Sequence, residues 1–269
     1  MLRDGFEVTV LTTDRSKAER LFGGRTGIVE GDVTRPETLK APLEGIDGVY
    51  LNLNSRLDPA TYRRLEIDGT ANVARACTEA GVRRLATISG ASSRGRTGGV
   101  IFLDAKVLAE QAIQASGVPY TIMRPSWFFE AIPSFVYEDM LIIIGDQPIP
   151  RRLLAVSDYA GQVSRAFQTD EAANCCFYNL GPEALTLPKA LEAFRQQCRP
   201  DLKVKQVSLW MARLGAKALG DDSKKNIVDF FEYMETMDEN VDGSEADRIL
   251  GKNKTTLEEW FELYRKKSN

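Results

Sequence analysis

The chain contains no histidine. That removes a Ser–His–Asp triad, a Cys–His pair and a His-ligated metal from the chemistry this chain can supply. Acid–base work falls to Asp, Glu, Lys, Tyr or Cys, or to a bound cofactor. The cysteines are Cys77, Cys175, Cys176 and Cys198. None has CxxC spacing, so neither a zinc site nor a redox pair is signalled, and reduced thiols in an intracellular protein are the expectation. Lys106 stands out because it follows Phe102 by one helical turn, in Phe102-Leu103-Asp104-Ala105-Lys106. Residues four apart share a helix face. A lysine there acts as a general acid if desolvation lowers its pKa; on an exposed face it is an ordinary surface lysine. Ser89 to Ser93 (SGASS) offers hydroxyls at a strand-to-loop turn, a place where small residues also occur without function.

Those residues need elements to hold them. Glu7–Thr12, Gly27–Glu30, Gly48–Leu53, Arg84–Ser89 and Tyr120–Arg124 read as strands, the last stopped by Pro125. Ser16–Phe22, Arg35–Leu43, Tyr62–Ala80 and Phe102–Ser116 read as the helices between them. Short connections and strict alternation imply βαβ units and a parallel sheet covered on both faces. Right-handed crossovers make it a doubly wound, Rossmann-type α/β sheet. Leu2-Arg3-Asp4-Gly5 looks like the last turn of a helix ending on glycine. After Pro125 the alternation fades. Trp127–Pro150 is apolar and irregular, Asp158–Phe167 is a helix and Cys175–Leu180 a strand. Five helical stretches from Leu187 to Lys266 then suggest a small helical C-terminal lobe. The acidic stretch Glu235 to Asp247 reads as a solvated helix face and loop. The division expected is a dinucleotide-type core over 1–126, with 155–180 returning to it. Residues 127–154 and 181–269 form a substrate or lid lobe.

Composition bounds the partners. A net charge of −3 signals no nucleic-acid or anionic-membrane surface. The longest strongly apolar run, Met140 to Ile144, is too short to span a bilayer. The expectation is a cytoplasmic protein that takes a small-molecule substrate or effector, with no nucleic acid and no membrane.

The order and spacing of six segments resemble a known family. They are VTVLTTDRSKAERL, VEGDVTRPETL, GVYLNL, DGTANVARACTEAGVRRLATISGASS, KVLAEQAIQASGVPYTIMRPSWFFE and NLGPEALTLPKALEAF. Together they are similar to the atypical short-chain dehydrogenases of the NmrA-like, NAD(P)-binding type. The resemblance covers nearly the whole chain and is most specific from Asp68 to Phe129. It implies a fold that begins one βα unit earlier, with a strand, a GxxGxxG-like turn and a helix. That turn would place backbone N–H groups on the pyrophosphate. No such motif follows a strand in this sequence. A unit of roughly 20 residues is therefore expected ahead of Leu2. The alternative is a short protein in which the strands at Glu7–Thr12 and Gly48–Leu53 pair directly.

The resemblance also implies roles. Thr13, Arg15 and Lys17 would meet the adenosine ribose, and their basic character favours NADP over NAD. Asp32 and Val33 would contact adenine, though Asp32 also suits a cap on the helix that Pro36 opens. Leu53 and Asn54 would pass the cofactor, Asn54 being equally suited to a turn. Pro125 and Ser126 would lie against the nicotinamide, with Phe128 and Phe129 toward the substrate. Ser89 and Lys106 would form the catalytic set, Lys106 also holding ribose. The departure is at Phe102, where classical relatives carry the proton-donating tyrosine. A phenyl ring donates no proton, so carbonyl reduction through this position is not available. Three functions remain: an NAD(P)-dependent oxidoreductase working through Lys106 or the substrate, a dinucleotide-binding sensor without turnover, or a degenerate chain that binds no dinucleotide. Without the cradle, two lost charge-assisted hydrogen bonds at about 1.5–3 kcal/mol each would weaken dinucleotide binding by about two to four decades.

Overall fold

The computed structural model describes residues 1–53, 55, 61–94, 99–220 and 222–268. Asn54 lies outside them. β1 (Thr9–Thr12) and β2 (Gly27–Glu30) pair in parallel through α1 (Arg15–Phe22). β3 (Gly48–Leu51), β4 (Arg84–Ile88) and β5 (Tyr120–Pro125) form a second parallel set. The resulting α/β architecture is the doubly wound one expected from the alternation of elements. β1 and β3 do not pair with each other among the described residues, so the two sets remain separate sheets. Leu2–Asp4 is a single 3-10 turn closed by Gly5 at φ 86°, the left-handed glycine expected at a helix end. Asp4 anchors that turn by accepting from Ser164 Oγ at 2.6 Å.

Local chemistry explains the deviations. The helix expected over Arg35–Leu43 is instead a 3-10 turn, Pro36–Thr38, followed by α2 (Lys40–Leu43). Pro42 has no N–H to continue an α-helical ladder. The stretch after residue 61 opens as a π-helix, Tyr62–Asp68, and becomes α3 at Gly69–Glu79. Its buried stripe holds Tyr62, Glu66, Thr70, Val73 and Cys77. Cys77 is wholly enclosed, and burial pushes its thiol up to about 12. α4 (Ile101–Ala115) carries Phe102 and Lys106.

The chain beyond Pro125 is not purely helical. β6 (Val136–Tyr137), β7 (Met140–Ile144) and a later β9 (Lys203–Val207) make a three-stranded sheet of their own. Its apolar face joins a cluster with Phe129, Leu191, Phe194 and Trp260. β9 (KVKQV) buries no face, four of its five residues being exposed, so it carries no strict alternation of apolar and polar residues. Between β7 and β9, α5 (Val156–Gln168) leads to β8 (Cys175–Asn179), which pairs with β5 and extends the main sheet. Cys175 Sγ donates to the Glu171 and Ala173 carbonyls, while Cys176 Sγ accepts from Gln114, so the adjacent thiols point to opposite faces. α6 (Leu187–Cys198) packs beneath the second sheet; α7 (Leu209–Leu219) and α8 (Asp222–Thr236) form a hairpin; α9 (Ser244–Leu250) and α10 (Leu257–Ser268) close the chain.

Gly181, just past β8, sets the approach of residues 151–154 to the main sheet. A Cβ there would lie 1.6 Å from the Leu153 carbonyl oxygen. Gly215 in α7 has nothing within 4 Å of the same position. Gly181→Ala should therefore destabilise by about 1–3 kcal/mol through overpacking, while Gly215→Ala should stabilise by about 0.5–1 kcal/mol through helix propensity. Urea unfolding of both variants checks this; equal effects would show that the close approach at Gly181 relaxes freely.

Candidate functional site

The carboxyl ends of β3 and β4 converge on a small cavity. Leu51, Leu53, Glu66, Ser89, Lys106 and Glu110 are among its lining residues. Its volume is about 10 Å³, room for roughly one water. α4 brings Lys106 in from one side, and its Nζ donates to the Leu53 carbonyl at 3.5 Å. The π-helix brings Glu66 from the other. Lys106 Nζ and Glu66 Oε2 are 2.8 Å apart, an ion pair off the hydrogen-bond angle. Glu66 is 4% exposed, and its Oε1 accepts from the Ser55 amide and hydroxyl at 3.1 and 2.8 Å. Ser89 Oγ is buried without a hydrogen-bond partner. A second buried pair stands behind: Arg124 reaches Glu110 at 2.5 and 3.0 Å and lies 5.4 Å from the Tyr178 ring centre. The Glu110 carboxylate holds the Arg124 guanidinium above its ordinary pKa, against the cost of burial.

Phe102 lies one turn from Lys106 on α4. Its ring stacks on Tyr62 at 6.4 Å and tilts against Phe230 of α8 at 4.8 Å. Phe230 also stacks on Trp127 at 5.5 Å with 13° between the planes. Helix α8 thus covers the aromatic side of the mouth. Pro125 ends β5, and its carbonyl accepts from the Ala91 amide. Ser126 is buried; its amide donates to the Asn179 carbonyl and its hydroxyl to Glu239 Oε2 at 2.6 Å. Glu239, in the acidic stretch expected to be solvated, is 8% exposed. Phe129 is wholly buried in the cluster beneath the β6–β7–β9 sheet, whereas Phe128 packs edge-on against Tyr159. The Tyr159 hydroxyl meets that of Tyr50 at 3.2 Å, and burial pushes both phenols up.

The remaining expected residues lie on the β1–β2 sheet. Thr13, Arg15 and Lys17 are exposed at the carboxyl end of β1. Asp14 caps α1 by accepting from the Lys17 amide at 2.9 Å. Arg15 turns along the helix to Glu19 at 3.0 Å and to the Ile28 carbonyl at 3.3 Å. Asp32 caps a turn rather than the helix: its Oδ1 accepts from the Thr34 amide and hydroxyl, both at 2.8 Å. Those bonds lower its pKa. The following 3-10 turn starts at Arg35 without a side-chain cap. Val33 is buried against Gly69 and Leu39. The structure therefore gathers Ser89, Lys106 and Leu53 around one cavity. It places Pro125 and Ser126 at the end of β5, against the turn that follows β4, and Thr13, Arg15, Lys17, Asp32 and Val33 on the separate sheet.

Residues 1–140 match the family described as NAD(P)H-binding. The chain belongs to that family. Among sequence relatives, it is 24% identical to a photosystem II assembly factor of Trieres chinensis over 98% of this chain and 80% of that protein. A photosystem II assembly factor of Synechocystis is 24% identical over 78% of this chain and 65% of its own length. Among solved structures, a nucleoside-diphosphate-sugar epimerase from Staphylococcus aureus superposes with a TM-score of 0.77 at 15% identity. It covers 97% of this chain and 92% of the epimerase. The NADPH-dependent quinone oxidoreductase of Escherichia coli, solved with NADPH, gives 0.76 at 20% identity over 95% and 89%. These likenesses show the Rossmann-type fold of the family.

The family tests the chain for a nicotinamide dinucleotide. At the Lys106 end the donor set fits: an orphaned hydroxyl, an ammonium and a carboxylate suit vicinal ribose hydroxyls. At the pyrophosphate end, no described turn supplies a glycine cradle after a strand. Among the described residues no helix is long and apolar enough to cross a membrane.

Sequence reading missed Glu66, Arg151, Phe230 and Glu239. Glu66 had a signal: it falls on the same helical stripe as Tyr62, Val73 and Cys77, an acidic residue in a buried face. Glu239 had none, because its partner Ser126 is 113 residues away. Lys106→Met should cost about 2–4 kcal/mol, near the lower range for breaking a buried pair because Lys106 is 22% exposed. Lys106→Met with Glu66→Leu should recover at least half of that loss in chemical denaturation. A double variant no more stable than the single one would show that Glu66 is not held by Lys106.

Proposed function

We propose that this chain is a nicotinamide-dinucleotide-binding protein that does not carry out classical carbonyl reduction. The observation that carries the reading is the Phe102–Lys106 face of α4. The position that would need a proton donor is a phenyl ring packed under Phe230, and the lysine is neutralised by Glu66. A bound dinucleotide would supply or accept a hydride. On the protein side, Lys106 would exchange Glu66 for ribose hydroxyls, Ser89 would find its hydrogen-bond partner there, and Trp127 would shield the ring from water. Lys17, exposed beside the end of β1, favours a 2′-phosphate and hence NADP; Arg15 adds to it on leaving Glu19. The relatives that assemble photosystem II support an output through protein assembly rather than turnover. An oxidoreductase working through Lys106 is the second reading, favoured by the retained lysine and the orphaned Ser89 hydroxyl.

Saturation-transfer NMR reads weak binding and suits the 269-residue chain. NADPH at millimolar concentration should receive saturation at its ribose and nicotinamide protons, more than NADH does, and Lys106→Ala should weaken the effect severalfold. No transfer to either cofactor would overturn the binding reading; equal transfer would overturn the NADP preference.

The enzymatic question has its own test. Phe102→Tyr places a phenol one helical turn from Lys106, whose charge favours the phenolate once Glu66 has been exchanged for ribose hydroxyls. NADPH-linked reduction of simple aldehydes and ketones should be at background in the wild type and rise in the variant. A wild-type rate clearly above background would sink the non-catalytic reading.

A further inference from the structure

The segment after α8 folds back over the turns that follow β4 and β5, and its Glu239 side chain behaves as a ligand. Oε2 accepts from Ser126 Oγ at 2.6 Å. Oε1 accepts from Ser92 Oγ at 3.5 Å and faces Arg151 Nη1 at 3.3 Å as an ion pair. Arg151 is 4% exposed, and burial lowers its pKa against the pull of Glu239. Its Nη2 donates to the Met234 carbonyl at 2.5 Å and the Met237 carbonyl at 3.3 Å. Tyr233 adds a hydrogen bond to the Ser92 carbonyl at 3.2 Å. Among the described residues, the hydrogen-bond and ion-pair partners of the Arg151 side chain all belong to residues 234–239.

That arrangement sets a condition on anything that opens the mouth. When 234–239 lift away, a buried guanidinium and the Ser126 hydroxyl lose their partners together. A buried charge without a counter-charge is far more costly than a paired one. A neutral ligand leaves that cost in place, whereas an anion removes it. The two oxygens of Glu239 divide between Ser126 and Arg151, which is the spacing of a carboxylate. Lifting α8 also removes Phe230 from Phe102 and from Trp127, the residue that follows Ser126, and so uncovers an aromatic face next to the anion position.

We infer that Ser92, Ser126 and Arg151 form a carboxylate subsite which Glu239 occupies in the closed state, and that the exchanging ligand is a carboxylic acid on an apolar or aromatic body. The inference rests on reading this mouth as the reacting end of the dinucleotide groove and names the ligand class for it. Exchange is a competition: the tethered carboxylate holds the site until a free one replaces it.

Benzoate is the probe and benzamide its neutral control, both titrated without dinucleotide. In the wild-type chain, benzoate should accelerate amide hydrogen exchange over 233–242 and benzamide should leave it unchanged. Glu239→Gln removes the competing charge. Its 233–242 amides should exchange at least tenfold faster than wild type. By calorimetry it should bind benzoate at least tenfold more tightly. Adding Ser126→Ala should weaken benzoate severalfold. Benzoate acting no differently from benzamide on the wild type would overturn the subsite, whether or not the variant folds. So would a Glu239→Gln protein that opens yet binds both probes alike. Because no dinucleotide is present, failure here leaves the NAD(P)(H) reading standing, and failure of NADPH binding leaves this result intact.

Discussion

A carboxylate taken out of water must find a cation, and three such pairings organise the carboxyl end of the main sheet. Glu66 with Lys106 ties the π-helix to α4. Glu110 with Arg124 ties α4 to β5. Glu239 with Arg151 ties the segment after α8 to the strand-end loops. Each pair joins two different elements, and each would leave a bare charge if one partner were withdrawn. They are weak evidence for net stability but strong evidence for register. The helices cannot slide without uncovering a charge, so the loops that carry Ser89 and Ser126 are fixed against them. The chemistry of the mouth follows from that bracing: the lysine, the orphaned hydroxyl and the aromatic faces are all positioned, and all are engaged or covered by the protein itself.

Much of the frame was legible because parallel βαβ units write themselves plainly. Gly27–Glu30 and Leu187–Cys198 coincide with the elements observed, β1, β3 and β4 fall within their expected stretches, and β5 runs one residue further, ending on Pro125 rather than before it. Pro42 broke one helix into two pieces, a local effect visible in the sequence once its N–H is counted. The sheet of β6, β7 and β9 was not legible. Its strands are 2, 5 and 5 residues long and lie outside any alternating pattern of helices, so nothing local fixes their pairing.

The site divides in the same way. The neighbourhood of Ser89, Lys106 and Leu53 could be placed, because strand ends and one helical turn are short-range geometry. Arg15 could not, because its partner Glu19 is an exposed residue that competes with any ligand. Burial of Glu239 depends on how the last third of the chain returns over the core, which no nearby residue encodes. Composition pointed the wrong way there: an acidic run reads as solvated, yet one member is drawn inside by Arg151.

The separation between β1 and β3 has a mechanical consequence. No backbone hydrogen bond crosses that seam among the described residues, so the β1–β2 pair is held to the rest through side chains such as Leu11, Val33 and Leu39 packed against α3. These contacts, with Asn72 Nδ2 donating to the Val33 carbonyl at 3.0 Å, yield more easily than a ladder. The residues expected at the adenosine end ride on one side of the seam, those at the nicotinamide end on the other. A dinucleotide reaching both would work as a strut across a hinge, its hold on one half transmitted as stiffness to the other.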